Sequence, residues 1–120
     1  MDYIPQDRGK GYVMAGLRWN KDFALEQAAD DTDLLKELIE IFKESCTNDF
    51  NLIREGVVNC DAAQISNAAH SIKGAAASLG LEGIKDVALE MEKDSRGGGF
   101  EVAKSRLLDL EVLLAELKNL

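Results

Sequence analysis

Histidine occurs once in these 120 residues, proline once and cysteine twice. One histidine with Cys46 and Cys60 cannot supply the three or four ligands of a standard zinc or iron site. The cysteines have neither CxxC spacing nor further cysteines beside them, so no disulfide framework is expected, only reduced, half-buried thiols. Aromatics are scarce as well, with 2 Tyr, 1 Trp and 4 Phe, which suits a helical protein better than a β-sandwich. No stretch reaches the roughly 18–20 apolar residues of a membrane span. Residues 1–5 lack a basic region followed by an apolar one, so no secretory signal is expected. Positive charge is in deficit: 14 Lys and Arg against 22 Asp and Glu leave −8. Such a chain is a poor nonspecific ligand for nucleic acid or for anionic membrane surfaces. The expectation is one soluble, cytoplasmic domain, since this length allows a single modest core.

What is present is helical periodicity. Residues 1–18, with Pro5 and several glycines, read as an N-terminal tail that is partly ordered at most, its end docking through residues such as Leu17 and Trp19. The body is expected over 19–120. A short helix around residues 22–29 would be anchored by Phe23. The acidic cluster Asp30, Asp31, Thr32 and Asp33 marks a helix start. Leu34, Leu38, Ile41, Phe42, Leu52, Ile53 and Val57 then predict one long amphipathic helix over 33–57. Asp61 with Gln64 resembles a capping pair opening the next helix. Its stripe is Ile65, Ala69, Ile72, Ala76 and Leu79, with Gly80 as its stop. A helix over 82–96 presents Ile84, Val87, Ala88 and Met91. After Gly97, Gly98 and Gly99, a last helix over 100–118 carries Ala103, Leu107, Leu110, Leu114 and Leu117. The predicted fold is all-α, an antiparallel up-down four-helix bundle with a short additional N-terminal helix.

The helix over 61–80 is anomalous in charge. Between Gly56 and Leu81 only Asp61 and Lys73 carry full charge, in a chain that is 30% charged. Its non-stripe face is Ala63, Ser66, Asn67, His70, Lys73, Gly74 and Ala77, whereas a solvated face is normally dense in Glu, Lys and Arg. Small uncharged residues let a partner approach closely, so this face reads as a docking site. A lone histidine on a bundle helix is by itself an ordinary surface residue. Here Lys73 lies one turn away on the same side. Gly74 sits mid-helix, where glycine costs about 1 kcal/mol relative to alanine. The chain uses Ala75, Ala76 and Ala77 directly afterwards, so a glycine at 74 breaks a local rule without visible structural gain.

An imidazole near its reference pKa of about 6.5 is largely neutral and nucleophilic at cytosolic pH, and accepts a phosphoryl group through a ring nitrogen. Positioning and electrostatics carry most of phosphoryl-transfer catalysis, and Lys73 would meet the charge on the transferring group. Other chemistries lack their parts. Cys60 and His70 stand about 15 Å apart at the rise of an α-helix, too far for a nucleophile–base pair. Gly9, Lys10 and Gly11 do not complete a phosphate loop. With no substrate pocket or oxyanion arrangement in view, a self-contained enzyme is not expected.

The run Ala69-His70-Ser71-Ile72-Lys73-Gly74-Ala75-Ala76-Ala77-Ser78-Leu79-Gly80 resembles the signature of histidine-containing phosphotransfer (HPt) domains. That pattern is His-x-x-Lys-Gly, small residues, then a hydrophobic residue and Gly. The resemblance extends more loosely from about Trp19 to the C-terminus. It implies a phosphorelay intermediate without kinase activity of its own, which takes a phosphoryl group from a receiver-domain aspartate, or from a hybrid sensor histidine kinase, and passes it to a response regulator. His70 would be the phosphoacceptor through Nε2, Lys73 the phosphate-stabilising cation and Gly74 the clearance position. Ser66, Asn67, Ser71 and Ala77 would line the partner surface, and Arg96 would contribute to it. Some members carry a Gln on the following helix that holds the imidazole; Glu92 stands at that position. Glu92 either raises imidazole basicity or points to solvent. No cofactor of the chain's own is implied, and Mg²⁺ would come with the receiver. The resemblance leaves a free-standing protein and a module of a larger kinase as alternatives, with a monomer as the default. The competing reading is a non-phosphorylated helical adaptor that docks partners on the same small-residue face.

Overall fold

Three of the helices begin where a short polar side chain caps free backbone N–H groups. The computed structural model describes residues 16–120. Helix α1 spans Lys21–Gln27, α2 Thr32–Val58, α3 Ala62–Ser78, α4 Glu82–Arg96 and α5 Glu101–Leu117. The Asn20 side chain accepts from the Phe23 N–H, Asp31 from those of Asp33 and Leu34, and Asp61 from that of Gln64. Gln64 does not return the bond to Asp61; its amide donates to the Leu52 carbonyl at 2.9 Å and so ties α3 to α2. No strand occurs among the described residues, apart from a single antiparallel bridge between Trp19 and Leu81.

The long helices pack in a ring. α3 lies against both α2 and α4, α4 also against α5, and α5 returns to α2, while α1 touches α2. The core is aliphatic. Ile65, Ala69, Ile72, Ala76 and Leu79 meet Ile84, Val87, Ala88 and Met91, all buried. From α5 come Ala103, Leu110, Leu114 and Leu117, with Leu107 half-buried.

Helix α2 corrects the expected stripe. It buries Leu35, Ile39, Phe42, Cys46, Phe50 and Ile53, whereas Leu34, Ile41 and Leu52 are exposed. Two adjacent apolar columns run along this helix. The one through Leu35 continues unbroken at steps of three and four, while the one through Leu34 is interrupted by Ser45, Asn48 and Asp49, so the continuous column takes the core. In α1, Ala24 is buried and Phe23 only half-buried, so the expected anchor is the smaller residue. Neither cysteine is half-buried: Cys46 is buried and Cys60 exposed, both as free thiols. Burial, and secondarily Asp49, pushes the Cys46 thiol up to about 12, so it packs as an inert small hydrophobe.

Much of the expected tail, residues 1–15, lies outside the described residues. Leu17, however, is fully buried, and the Trp19 indole N–H donates to the Leu79 carbonyl at 2.9 Å. Two glycines make this crossing possible. Gly80 ends α3 at φ +71°, and a Cβ there would fall 2.5 Å from the Asn20 carbonyl oxygen. A Cβ on Gly83 would fall 1.9 Å from the Gly16 carbonyl oxygen, and the Gly83 N–H donates to Leu17.

Candidate functional site

The helical pitch sets His70, Lys73 and Gly74 on one side of α3, because residues three and four apart are surface neighbours. The ring packing brings α4 alongside, with Glu92 facing them and Arg96 one turn further on. Glu92 does not point to solvent, which removes one of its two expected roles. Its side chain is 3% exposed, yet it is a carboxylate among apolar α4 residues. Three cationic or potentially cationic groups hold it there. Its Oε2 accepts from His70 Nδ1 at 2.7 Å and from Arg96 Nη2 at 2.8 Å, while its Oε1 accepts from Lys73 Nζ at 2.7 Å.

Lys73, as the largest influence, then His70 and Arg96, holds the Glu92 carboxyl below its ordinary value against the opposing effect of burial. The group is therefore ionised at neutral pH and can only accept hydrogen bonds. His70 must then carry its proton on Nδ1 in the neutral ring, which leaves the Nε2 lone pair free. The His70 side chain is 60% exposed. The geometry therefore presents a nucleophilic nitrogen to the outside, with its tautomer set by a buried anion.

Gly74 is exposed, and a Cβ built on it would meet nothing within 4 Å. In contrast to Gly80 and Gly83, no neighbour among the described residues requires a glycine here. Asn67 and Ser71 are exposed, while Ser66 and Ala77 are half-buried along the same helix. The structure thus gathers His70, Lys73, Glu92 and Arg96 into one cluster of direct contacts. The four smaller residues extend along α3 without touching that cluster through any side-chain hydrogen bond among the described residues.

One feature of the surface escaped sequence reasoning. Beside Ala75, Leu38, Ile41 and Phe42 of α2 and Ser78 and Leu79 of α3 line a shallow groove of about 320 Å³. Ile41 is 63% exposed. The signal was present in the sequence, since Leu38 and Ile41 belong to the apolar column that looked like core. Among the described residues no group of three or more His, Cys, Asp or Glu side chains is placed to hold a metal ion. No described helix is long and apolar enough to cross a membrane.

The sequence profile of the Hpt domain family matches residues 37–120. A solved structure, the HPT domain of a sensor hybrid histidine kinase from Shewanella, superposes with a TM-score of 0.72 at 20% identity. The match covers 87% of this chain and 93% of that one, and it establishes likeness of fold. No curated protein sequence matches the chain.

Proposed function

The chain belongs to the Hpt domain family, whose members carry phosphoryl groups in two-component relays, and from that premise we propose that it is a phosphorelay intermediate working through His70. In this reading the ring of α2 to α5 is the family's antiparallel four-helix bundle, with α1 as the additional N-terminal helix. The observation that carries it is the bond from His70 Nδ1 to buried Glu92, which leaves Nε2 facing outward beside a glycine that the fold does not need.

The transfer follows from that arrangement. The Nε2 lone pair attacks the phosphorus of an aspartyl phosphate on a receiver domain. The N–P bond forms as the P–O bond breaks, and the departing electron pair returns to the aspartate as carboxylate. The proton on Nδ1 stays in place, and the positive charge that develops on the ring faces the Glu92 carboxylate. Lys73 supplies positive charge toward the equatorial oxygens, where hydrogen bonds to charged groups are worth roughly 1.5–3 kcal/mol. The reverse steps deliver the group to a second receiver. In this reading the chain is a phosphoryl carrier without kinase activity of its own, in keeping with its family.

The Glu92 carboxylate is engaged by His70, Lys73 and Arg96. In this reading Mg²⁺ would be held by the receiver, where it would supply positive charge to the transferring group. Gly74 lets the receiver close on His70. Ser66, Asn67, Ser71 and Ala77 form the contact surface, and the Leu38–Ile41 groove beside Ala75 receives an apolar part of the partner. Receiver domains and a hybrid sensor kinase are the partners, the monomer is the working unit, and the cytoplasm is where such relays meet.

The test is label transfer from receiver domains charged with acetyl phosphate, run across all receivers of the source organism. Acid-labile, base-stable label is expected on the wild type and absent from His70→Gln. Label that persists in His70→Gln refutes the assignment, and absence of label with every receiver favours the adaptor reading.

A further inference from the structure

Building on the phosphorelay reading, we infer that Glu92 competes with the phosphoryl group on His70 for Lys73 and Arg96, and thereby sets how phosphate divides between this chain and its receiver. Orienting the imidazole requires one hydrogen-bond acceptor opposite Nδ1, and a neutral amide oxygen would serve. The arrangement goes further. Both carboxylate oxygens are engaged: Oε1 by Lys73 at 2.7 Å, and Oε2 by His70 and Arg96 at 2.7 and 2.8 Å. A carboxylate is distinguished from an amide by its one negative charge, which Lys73 and Arg96 share.

Phosphorylation brings a charge of about −1.5 to −2 to Nε2. The groups available to meet it are Lys73 and Arg96, and both already have a counter-ion. That counter-ion is buried, so its field is screened less by water than that of an exposed pair. Glu92 also repels the phosphoryl oxygens directly. Its one favourable effect on the phosphorylated state, facing the ring cation, involves at most one positive charge. The balance places the phosphohistidine at higher free energy than a neutral residue at position 92 would. A relay intermediate that must hand its cargo onward gains from such a bias, because it keeps the transfer reversible.

Glu92 acts here as a positioning residue, and its charge separates from its orienting role by experiment. Using a receiver identified by label transfer, forward and reverse single-turnover rate constants give the partition ratio for wild type, Glu92→Gln, Lys73→Gln and the double variant. Glu92→Gln keeps an acceptor for Nδ1 and removes the charge. It is expected to shift the ratio toward phosphohistidine by about five- to tenfold at low salt, the scale of a partly screened ion pair. The shift should shrink as salt is raised, and be smaller when Glu92→Gln is made in the Lys73→Gln background, where only Arg96 and direct repulsion remain. Equal slowing of both directions with an unchanged ratio would mean that Glu92 only orients the ring, and overturns the inference. Should Glu92→Gln lose its helicity, Lys73→Gln decides: transfer is expected to slow in both directions, as the role of Lys73 toward the transferring group requires. The partition ratio is then expected to move by less than about threefold, since the Lys73 charge is shared with Glu92, and a tenfold fall in that ratio refutes competition. If wild type takes no label, the phosphorelay reading fails and the inference with it; label on wild type with an unmoved ratio defeats the inference alone.

Discussion

Substitutions at Gly74 are expected to move stability and phosphoryl transfer in opposite directions. Glycine in a helix interior costs about 1 kcal/mol relative to alanine, through backbone entropy. A Cβ at position 74 meets nothing within 4 Å, so no steric penalty offsets the gain. Gly74→Ala should therefore stabilise the fold by about 0.5–1 kcal/mol, raising the melting temperature by roughly 2–5 °C for a domain of this size. Gly74→Leu should fold as well, because position 74 is exposed and its Cβ meets nothing among the described residues. The function behaves otherwise. A leucine side chain one turn from His70 holds a docking surface back by more than the ångström whose misplacement already costs about 100-fold in rate. Guanidinium denaturation followed by circular dichroism measures the first effect, and single-turnover label transfer the second. Gly80→Ala and Gly83→Ala serve as contrasts. Each forces a Cβ onto a backbone carbonyl and should cost about 1–3 kcal/mol. Destabilisation by Gly74→Ala would show that the glycine serves packing, and wild-type transfer by Gly74→Leu would refute close approach at this position.

Two further predictions concern the groove and the buried carboxylate. Ile41→Gln should leave stability within about 0.5 kcal/mol, since the side chain is largely exposed, yet weaken receiver binding by about tenfold if the partner covers it. Unchanged affinity by titration calorimetry would remove the groove from the interface. The Glu92 carboxyl titrates lower in the folded state than its ordinary 4.5, so the unfolded chain binds the proton more readily. Its contribution to stability is therefore complete above that ordinary value and is lost as pH falls through the depressed one. Glu116 works in the opposite sense, because burial, partly offset by the Leu17 N–H, raises its carboxyl. The comparison is accordingly the difference in denaturation free energy between wild type and Glu92→Gln between pH 3 and 7. A difference that does not narrow on acidification would contradict the assignment of Glu92 as a stabilised anion.

The legible part of the site was local. His70, Lys73 and Gly74 lie within five residues, and the helical pitch alone puts them on one side of α3. The charge-poor stretch around them was equally visible, since it depends only on composition. The Glu92 position could be named by resemblance, but not its state. Whether a carboxylate on one helix is buried and bound by two residues of another depends on the packing of α3 against α4. The register of α2 failed for a related reason. Leu34, Leu38 and Ile41 satisfy helical spacing as well as Leu35, Ile39 and Phe42 do, and only the neighbouring helices choose between the columns. The misassigned column proved informative, because apolar residues left outside the core form the groove beside Ala75.

By itself, the sequence determined the helices, the caps of α2 and α3 and the side of α3 that carries His70, Lys73 and Gly74, because these follow from interactions within a few residues along one chain segment. The tertiary structure decided which apolar column became core, how Leu17 and Trp19 close over Gly83 and Leu79, and that Glu92 gathers His70, Lys73 and Arg96. Those outcomes hinge on burial and on contacts between distant segments. A carboxylate enclosed with three partners differs from the same residue in water, and only packing tells the two apart.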